Sequence, residues 1–349
     1  MTPGTTVLRL GRVLSLPVGR RFLIVAPLLL LALLASCWLA LAAGYSGTRA
    51  ADIWQAVTLP REAMEDPARM IAGFRMPRIV AAVLAGSMMA ASGYLLQVVS
   101  RNGLADPGLL GLSDGASVAV LLGGALAGSA VIAPPVLAAL ALAGSLGAAL
   151  LVVGLGRRML TGGGIILVGL ATSIFLGSIV EIILVTGSAM NFSALMQWSR
   201  GTLAAVDAAD ARLLGLWWLL LVPLALGLGR SMSPLLLGDA EARALGVPTR
   251  ASVAAYIILA AAFAAPVVAT CGPVAFIGLM ASYVARSLVG DRPTEVLLAA
   301  MLSGGLILLW ADTAGRTLFG PVQVSAGIMI SVVGVLVFVL AARAGRLAR

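Results

Sequence analysis

The chain has 349 residues, 61% hydrophobic and only 11% charged, with a mean hydropathy of +1.08; soluble domains carry roughly a quarter charged residues, so a water-soluble globular protein is excluded. The formal charge of +9 comes from 23 arginines, with no lysine and no histidine in the chain. Without lysine the chain cannot hold the lysine of a phosphate-binding P-loop, and without histidine it lacks the commonest metal ligand.

Residues 1–21 read as a short basic arm, followed by a first apolar run at 22–44. A hydrocarbon core takes roughly 20 apolar residues per helical span. By that measure nine more spans follow, at 79–99, 112–132, 135–156, 165–186, 212–229, 251–270, 273–289, 295–311 and 324–342. The expected fold is all-α: one transmembrane unit, residues 1–349, of about ten helices. LLASC, Leu33 to Cys37, resembles a lipoprotein cleavage site. The apolar run continues past it to Gly44, however, which favours an uncleaved first span. Sorted by loop with the N-terminus inside, fifteen arginines face inward and eight outward. That bias follows the positive-inside rule, puts both termini in the cytoplasm and leaves no basic stripe for nucleic acid.

Residues 45–74 form a polar outer loop with Trp54, Glu62, Glu65 and Asp66, and a surface helix is expected around Ile53–Val57. FRMPR follows, at 74–78. Pro77 is expected to stop any helix from running through it, leaving Arg75 and Arg78 at the outer mouth of the second span. Arginines near span ends commonly serve as interfacial anchors. These two lie on the disfavoured outer side, which points to an acidic partner. Arg316, in ADTAGR, is a third candidate.

RNGLADPGLLGLSDG, Arg101 to Gly115, is broken by glycine and proline and joins two spans. Irregular backbone at membrane depth needs cover from protein or a water-filled cavity, as a gate would provide; a plain tight loop is the simpler alternative. Asp114 and Glu181 are carboxylates in or beside apolar runs. Intramembrane acids raise a proton-coupling hypothesis, although Asp114 also suits a helix cap. Gly162–Gly164 mark a second inner loop, and residues 187–211, with Asn191, Trp198, Asp207 and Asp210, a second outer one. The 41 glycines suit close helix packing, Gly124 and Gly128 being one small-xxx-small pair. Cys37 and Cys271 read as small buried hydrophobes with no disulfide between them.

The inner segment 233–250 contains GDAEARALGVPTR. Asp239 suits an N-cap, Gly246 the left-handed stop, and Pro248 blocks continuation. A helix of under two turns is far below the roughly 12–15 residues at which isolated helices become marginal, so it must dock on something. The candidates are a cytoplasmic ATPase or the membrane unit itself. No paired carboxylates, metal cluster or nucleophile–base set suggests an enzyme.

FRMPR, SGYLLQVVSRNGLADPGLLGLSDGAS, GDAEARALGV, CGPVAFIGL and ADTAGR together resemble the FecCD-type permeases, the iron-chelate and cobalamin branch of ABC importers, from Arg75 to the C-terminus. The resemblance implies a type II importer: two ten-span permease subunits, two cytoplasmic ATPase subunits and an external substrate-binding protein. It implies that Arg75, Arg78 and Arg316 dock the binding protein. It further implies that Asp239, Glu241, Ala242, Leu245 and Gly246 form the ATPase-coupling helix. Asn102, Leu104, Gly162 and Gly163 would form the cytoplasmic gate. No cofactor or metal is expected on this chain, ATP and magnesium belonging to the partner. The expected cargo is an Fe(III)–siderophore crossing the inner membrane, with cobalamin or haem as the alternative. A proton-coupled carrier using Asp114 or Glu181 is a rival from another class.

Three positions depart from the family pattern: Ser282-Tyr283 for Pro-His, Gln323-Val324-Ser325 for Glu-Leu-Pro, and Asn102-Gly103 for Asn-Pro. They keep both homodimer and heterodimer open. The MASYVAR and ADTAGR variants look closer to hydroxamate-siderophore permeases.

Overall fold

The apolar runs fold as helices packed around a buried central one. The computed structural model describes residues 5–10, 14–43, 49–108, 110–127, 134–156, 164–186, 198–319 and 322–343. The helices are, in order, α1 Arg20–Ala42, α2 Ala50–Thr58, α3 Asp66–Met70, α4 Met76–Ser100, α5 Leu112–Ala127, α6 Pro134–Leu155 and α7 Gly164–Thr186. They continue with α8 Ala208–Gly227, α9 Gly229–Leu237, α10 Asp239–Ala244, α11 Thr249–Cys271, α12 Ile277–Val289, α13 Pro293–Thr317 and α14 Ala326–Arg343. Among the described residues seven helices are long and apolar enough to cross a membrane, and three shorter apolar helices, α5, α12 and α14, complete the expected ten.

One expectation, the helix stop at Pro77, needs correction, and two others gain detail. The basic arm pairs as a hairpin, β1 Thr5–Leu10 with β2 Leu14–Gly19, in antiparallel register from Thr5–Gly19 to Leu10–Leu14. The second strand, LSLPVG, alternates apolar with small residues, the period of a strand, which a reading weighted on charge overlooks. The hairpin is pinned where the Gly19 N–H donates to Glu295 Oε1 at 2.7 Å, on the first turn of α13. Pro77, for its part, does not stop the chain. It sits in the first turn of α4, where a missing N–H costs nothing, and a π-helical turn at Ile71–Arg75 joins α3 to α4. Finally, Gly124 meets nothing within 4 Å and Gly128 lies outside the described residues, so that pair is not an observed packing contact. The close crossings are elsewhere. A Cβ added to Gly86 of α4 would collide with the Gly304 carbonyl of α13, one on Gly93 with the Gly278 backbone of α12, and one on Gly115 with the Gly144 carbonyl of α6. In lipid, such small-residue contacts supply the packing that the hydrophobic effect cannot.

Interhelical hydrogen bonds add to this. Ser92 Oγ donates to Ala260 O (2.7 Å), Trp218 Nε1 to Ser87 Oγ (3.0 Å) and Trp310 Nε1 to Ser36 Oγ (3.0 Å).

Two of the shorter helices follow irregular chain. Gly272 to Phe276 precedes α12, and residues 101–111 precede α5. Ser173 lies nine residues along α7, or about 14 Å at 1.5 Å per residue. Its Oγ is 2.8 Å from Gly108 O, so the 101–111 loop climbs well into the bundle. Protein covers it there, as irregular backbone at that depth requires.

Candidate functional site

The bundle carries a polar constellation at each end. One gathers around the last turn of α1, whose final carbonyls have no helical partner. Arg316 Nη1 donates to Ala43 O at 2.8 Å and Nη2 to Ala40 O, while Arg75 Nη1 donates to Leu41 O at 2.9 Å. Cations are favourable there because the carbonyl end of a helix is electronegative. Arg78 forms a bidentate pair with Asp312 of α13, Nε to Oδ2 at 2.9 Å and Nη2 to Oδ1 at 2.7 Å. The Asp312 side chain is 4% exposed and that of Arg78 17%. The structure thus brings Arg75, Arg78 and Arg316 together, half-buried, on one face. It also gives all three structural work that sequence reading did not assign. Asp312 is the residue missed. Its signal was an acid near the end of an apolar span, opposite in sign to the FRMPR arginines.

At the other end, α10 forms under two turns, as expected, although its N-cap falls on Gly238, with Asp239 as the first helical residue. Its stop is a Schellman arrangement. Gly246 has φ +80°, its N–H donates to Arg243 O at 2.9 Å, and the Val247 N–H donates to Ala242 O at 2.9 Å. Ala242 is buried, whereas Ala240, Glu241, Arg243, Ala244, Leu245 and Gly246 are exposed. Leu237 and Leu245 stand 67% and 62% exposed, near the exposed charged residues Glu241 and Arg243 in sequence. A helix so short is marginal by itself; one small residue seats it on the bundle and its apolar-and-charged face is uncovered in this chain.

The 102–111 loop starts beside it. Asn102 Oδ1 accepts the Leu104 N–H at 3.0 Å and Asp106 Oδ1 the Gly108 N–H at 3.0 Å, two tight side-chain turns in sequence. Asp106 is buried at 5% exposure, an acid the sequence reading passed over because it sits in a turn-like segment. Leu104 is half-buried. Ser173 Oγ also lies 2.5 Å from Asp114 Oδ2, tying the first turn of α5 to α7, whereas Glu181 is exposed on α7. Gly162 and Gly163 lie outside the described residues, as does Asn191. Asp207 and Asp210 form a capping box at the start of α8, with Asp207 Oδ1 accepting the Ala209 and Asp210 N–H groups at 2.7 and 3.0 Å.

Between α4, α12 and the α9–α10 corner lies a cavity of about 650 Å³, lined in part by Tyr94, Gln97, Arg101, Tyr283, Arg286 and Asp291. Arg286 donates to Gln97 Oε1 and stacks 5.6 Å from the centre of the Tyr94 ring. Gln97 Nε2 in turn donates to Gly278 O at 3.3 Å, linking α4 to α12. Tyr283, one of the departures noted above, is a wall of this cavity.

The sequence profile of the FecCD transport family matches residues 30–344. The Fe(3+)-citrate import system permease protein YfmE of Bacillus subtilis (strain 168) is 33% identical over 279 residues, 76% of this chain and 79% of that protein. The hemin transport system permease protein HmuU of Yersinia pestis is 34% identical, over 74% of this chain and 79% of its own length. Among solved structures, a metal-chelate type ABC transporter in an inward-facing conformation superposes with a TM-score of 0.79 at 23% identity, covering 92% of this chain and 99% of that one.

Proposed function

The chain belongs to the FecCD transport family, and we propose that it is the permease subunit through which an ATP-driven importer carries an Fe(III)–siderophore across the inner membrane. It is a multi-pass ABC importer permease; the cargo, the partners and the orientation are the proposed part. The observation that carries the coupling to ATP is α10, a helix with Ala242 seated and Glu241, Arg243 and Leu245 presented outward. Such a face fits a cleft on a cytoplasmic ATPase, which would perform the hydrolysis. The arginine excess at that end supports a cytoplasmic location for α10 and for both termini.

At the opposite end the Arg75, Arg78 and Arg316 cluster offers a cationic landing for an acidic binding protein. Because Arg78 is held by Asp312, its part is to shape that surface, and Arg75 and Arg316 are the better-placed contacts. Asn102 and Leu104 stand at the inner mouth as gate residues, and alternating access would be completed by a second permease subunit. An iron chelate is favoured because the relatives include proteins named for iron citrate and for hemin. The hydroxamate-like MASYVAR and ADTAGR variants narrow it to a siderophore. Proton coupling gains no support, since Asp114 is engaged by Ser173 and Glu181 faces outward.

Uptake of radioactive iron as a ferric hydroxamate, compared in cells with the permease, without it and without its ATPase, tests this directly. Uptake requiring both is expected. Uptake that survives loss of the ATPase and collapses with a protonophore would overturn the reading.

A further inference from the structure

Arg101 ends α4 in an unexpected conformation. Its φ of +50° is left-handed, a region that glycine or asparagine enters readily and arginine does not. Among the described residues Phe276 is the other non-glycine residue with positive φ. A position whose backbone favours glycine but holds arginine points to a need for the side chain.

The side chain spans a corner. Arg101 Nε donates to Leu235 O at 2.7 Å, in the last turn of α9, and Nη2 pairs with the Asp239 carboxylate, the first residue of α10. One planar fork thus holds both sides of the Gly238 turn. A lysine ammonium is a point charge and cannot hold the two acceptors in that fixed geometry. Among the described residues Asp239 is the α10 side chain that bonds to a membrane-spanning helix, while Ala242 supplies the seat. The pair is partly shielded, with the two side chains 31% and 16% exposed. On its other flank Arg101 precedes Asn102, whose side chain folds the start of the 102–111 loop, and that loop is anchored deep in the bundle at Ser173.

We infer that Arg101 is the positioning residue that transmits movement of α10 to the 102–111 loop, so that displacement of the ATPase-facing helix drags the inner end of α4 and the gate together. This deepens the importer reading above and rests on it. A lone hydrogen-bonded corner would only stabilise α9 and α10; a tie placed beside the gate also carries force.

The test uses the whole importer, permease with ATPase and binding protein, in lipid vesicles, with ferrichrome carrying radioactive iron as the probe. Arg101→Gln is expected to keep the ATPase bound and hydrolysing while iron moved per ATP falls about tenfold, within the usual range of coupling between sites. Arg101→Lys should recover part of this, and Arg101→Asp combined with Asp239→Arg should exceed either single charge loss. Amide hydrogen exchange in residues 102–111 gives a readout independent of cargo. ATP should change it in the wild type and leave it unchanged in Arg101→Gln. An undiminished response in Arg101→Gln, or loss of ATPase binding in Arg101→Gln, overturns the inference. Wild-type vesicles that show the exchange response but move no ferrichrome would instead sink the siderophore reading and leave the tie standing.

Discussion

Asp312→Ala is expected to destabilise the permease by about 3–5 kcal/mol, the cost of breaking a buried ion pair by removing one partner. The Asp312 carboxylate is nearly inaccessible and takes both of its hydrogen bonds from Arg78. Removing it leaves a guanidinium charge among Pro77, Ile79 and the end of α13, with Arg75 and Arg316 also nearby on the same face. Replacing both partners by leucine should cost less than Asp312→Ala alone, because no charge is then stranded. Thermal unfolding of the purified protein in detergent reads both. An Asp312→Ala protein as stable as the wild type would mean that Arg78 is solvated and free. The same geometry changes how binding-protein docking must be tested. Reversing Arg78 to glutamate would face it against Asp312 and damage the fold, so substitution of Arg75 reports docking more cleanly.

Leu245→Asp is expected to act without touching the fold. Leu245 is 62% exposed at the tip of α10, past the buried Ala242. If that tip is the anchor in an ATPase cleft, an aspartate there should weaken association by about 2 kcal/mol, or roughly 30-fold in affinity. The unfolding temperature of the isolated permease should stay unchanged. Affinity between permease and ATPase, measured by surface-based binding, decides the matter. Unchanged affinity would return α10 to the role of a solvated loop.

These two sites differ in how far the sequence announced them. The α10 segment is local: a glycine stop, a following proline and a run too short to stand alone, all within 13 residues, and Gly246 takes the left-handed conformation its position demanded. The ten apolar runs were legible for the same reason, each being a count of consecutive residues. Contacts between distant positions were not. Arg78 and Asp312 are separated by 234 residues, and Arg101 and Asp239 by 138. ADTAGR therefore drew notice for its arginine while its aspartate went unremarked. Pro77 misled because proline breaks helices in their interior, and only the π turn preceding it, which joins α3 to α4, shows how the helical run passes through it. The expected span at α12 was overextended by residues 273–276 because apolar content continues through irregular backbone, and hydropathy does not register hydrogen bonds.

The measurement that bears most directly on the account is transport in vesicles containing the permease and its ATPase, with ATP and binding protein supplied on opposite sides. Accumulation of iron-labelled ferric hydroxamate that stops when ATP is withheld or the binding protein omitted is the predicted result. Accumulation driven by a pH gradient alone, with the ATPase absent, would contradict it.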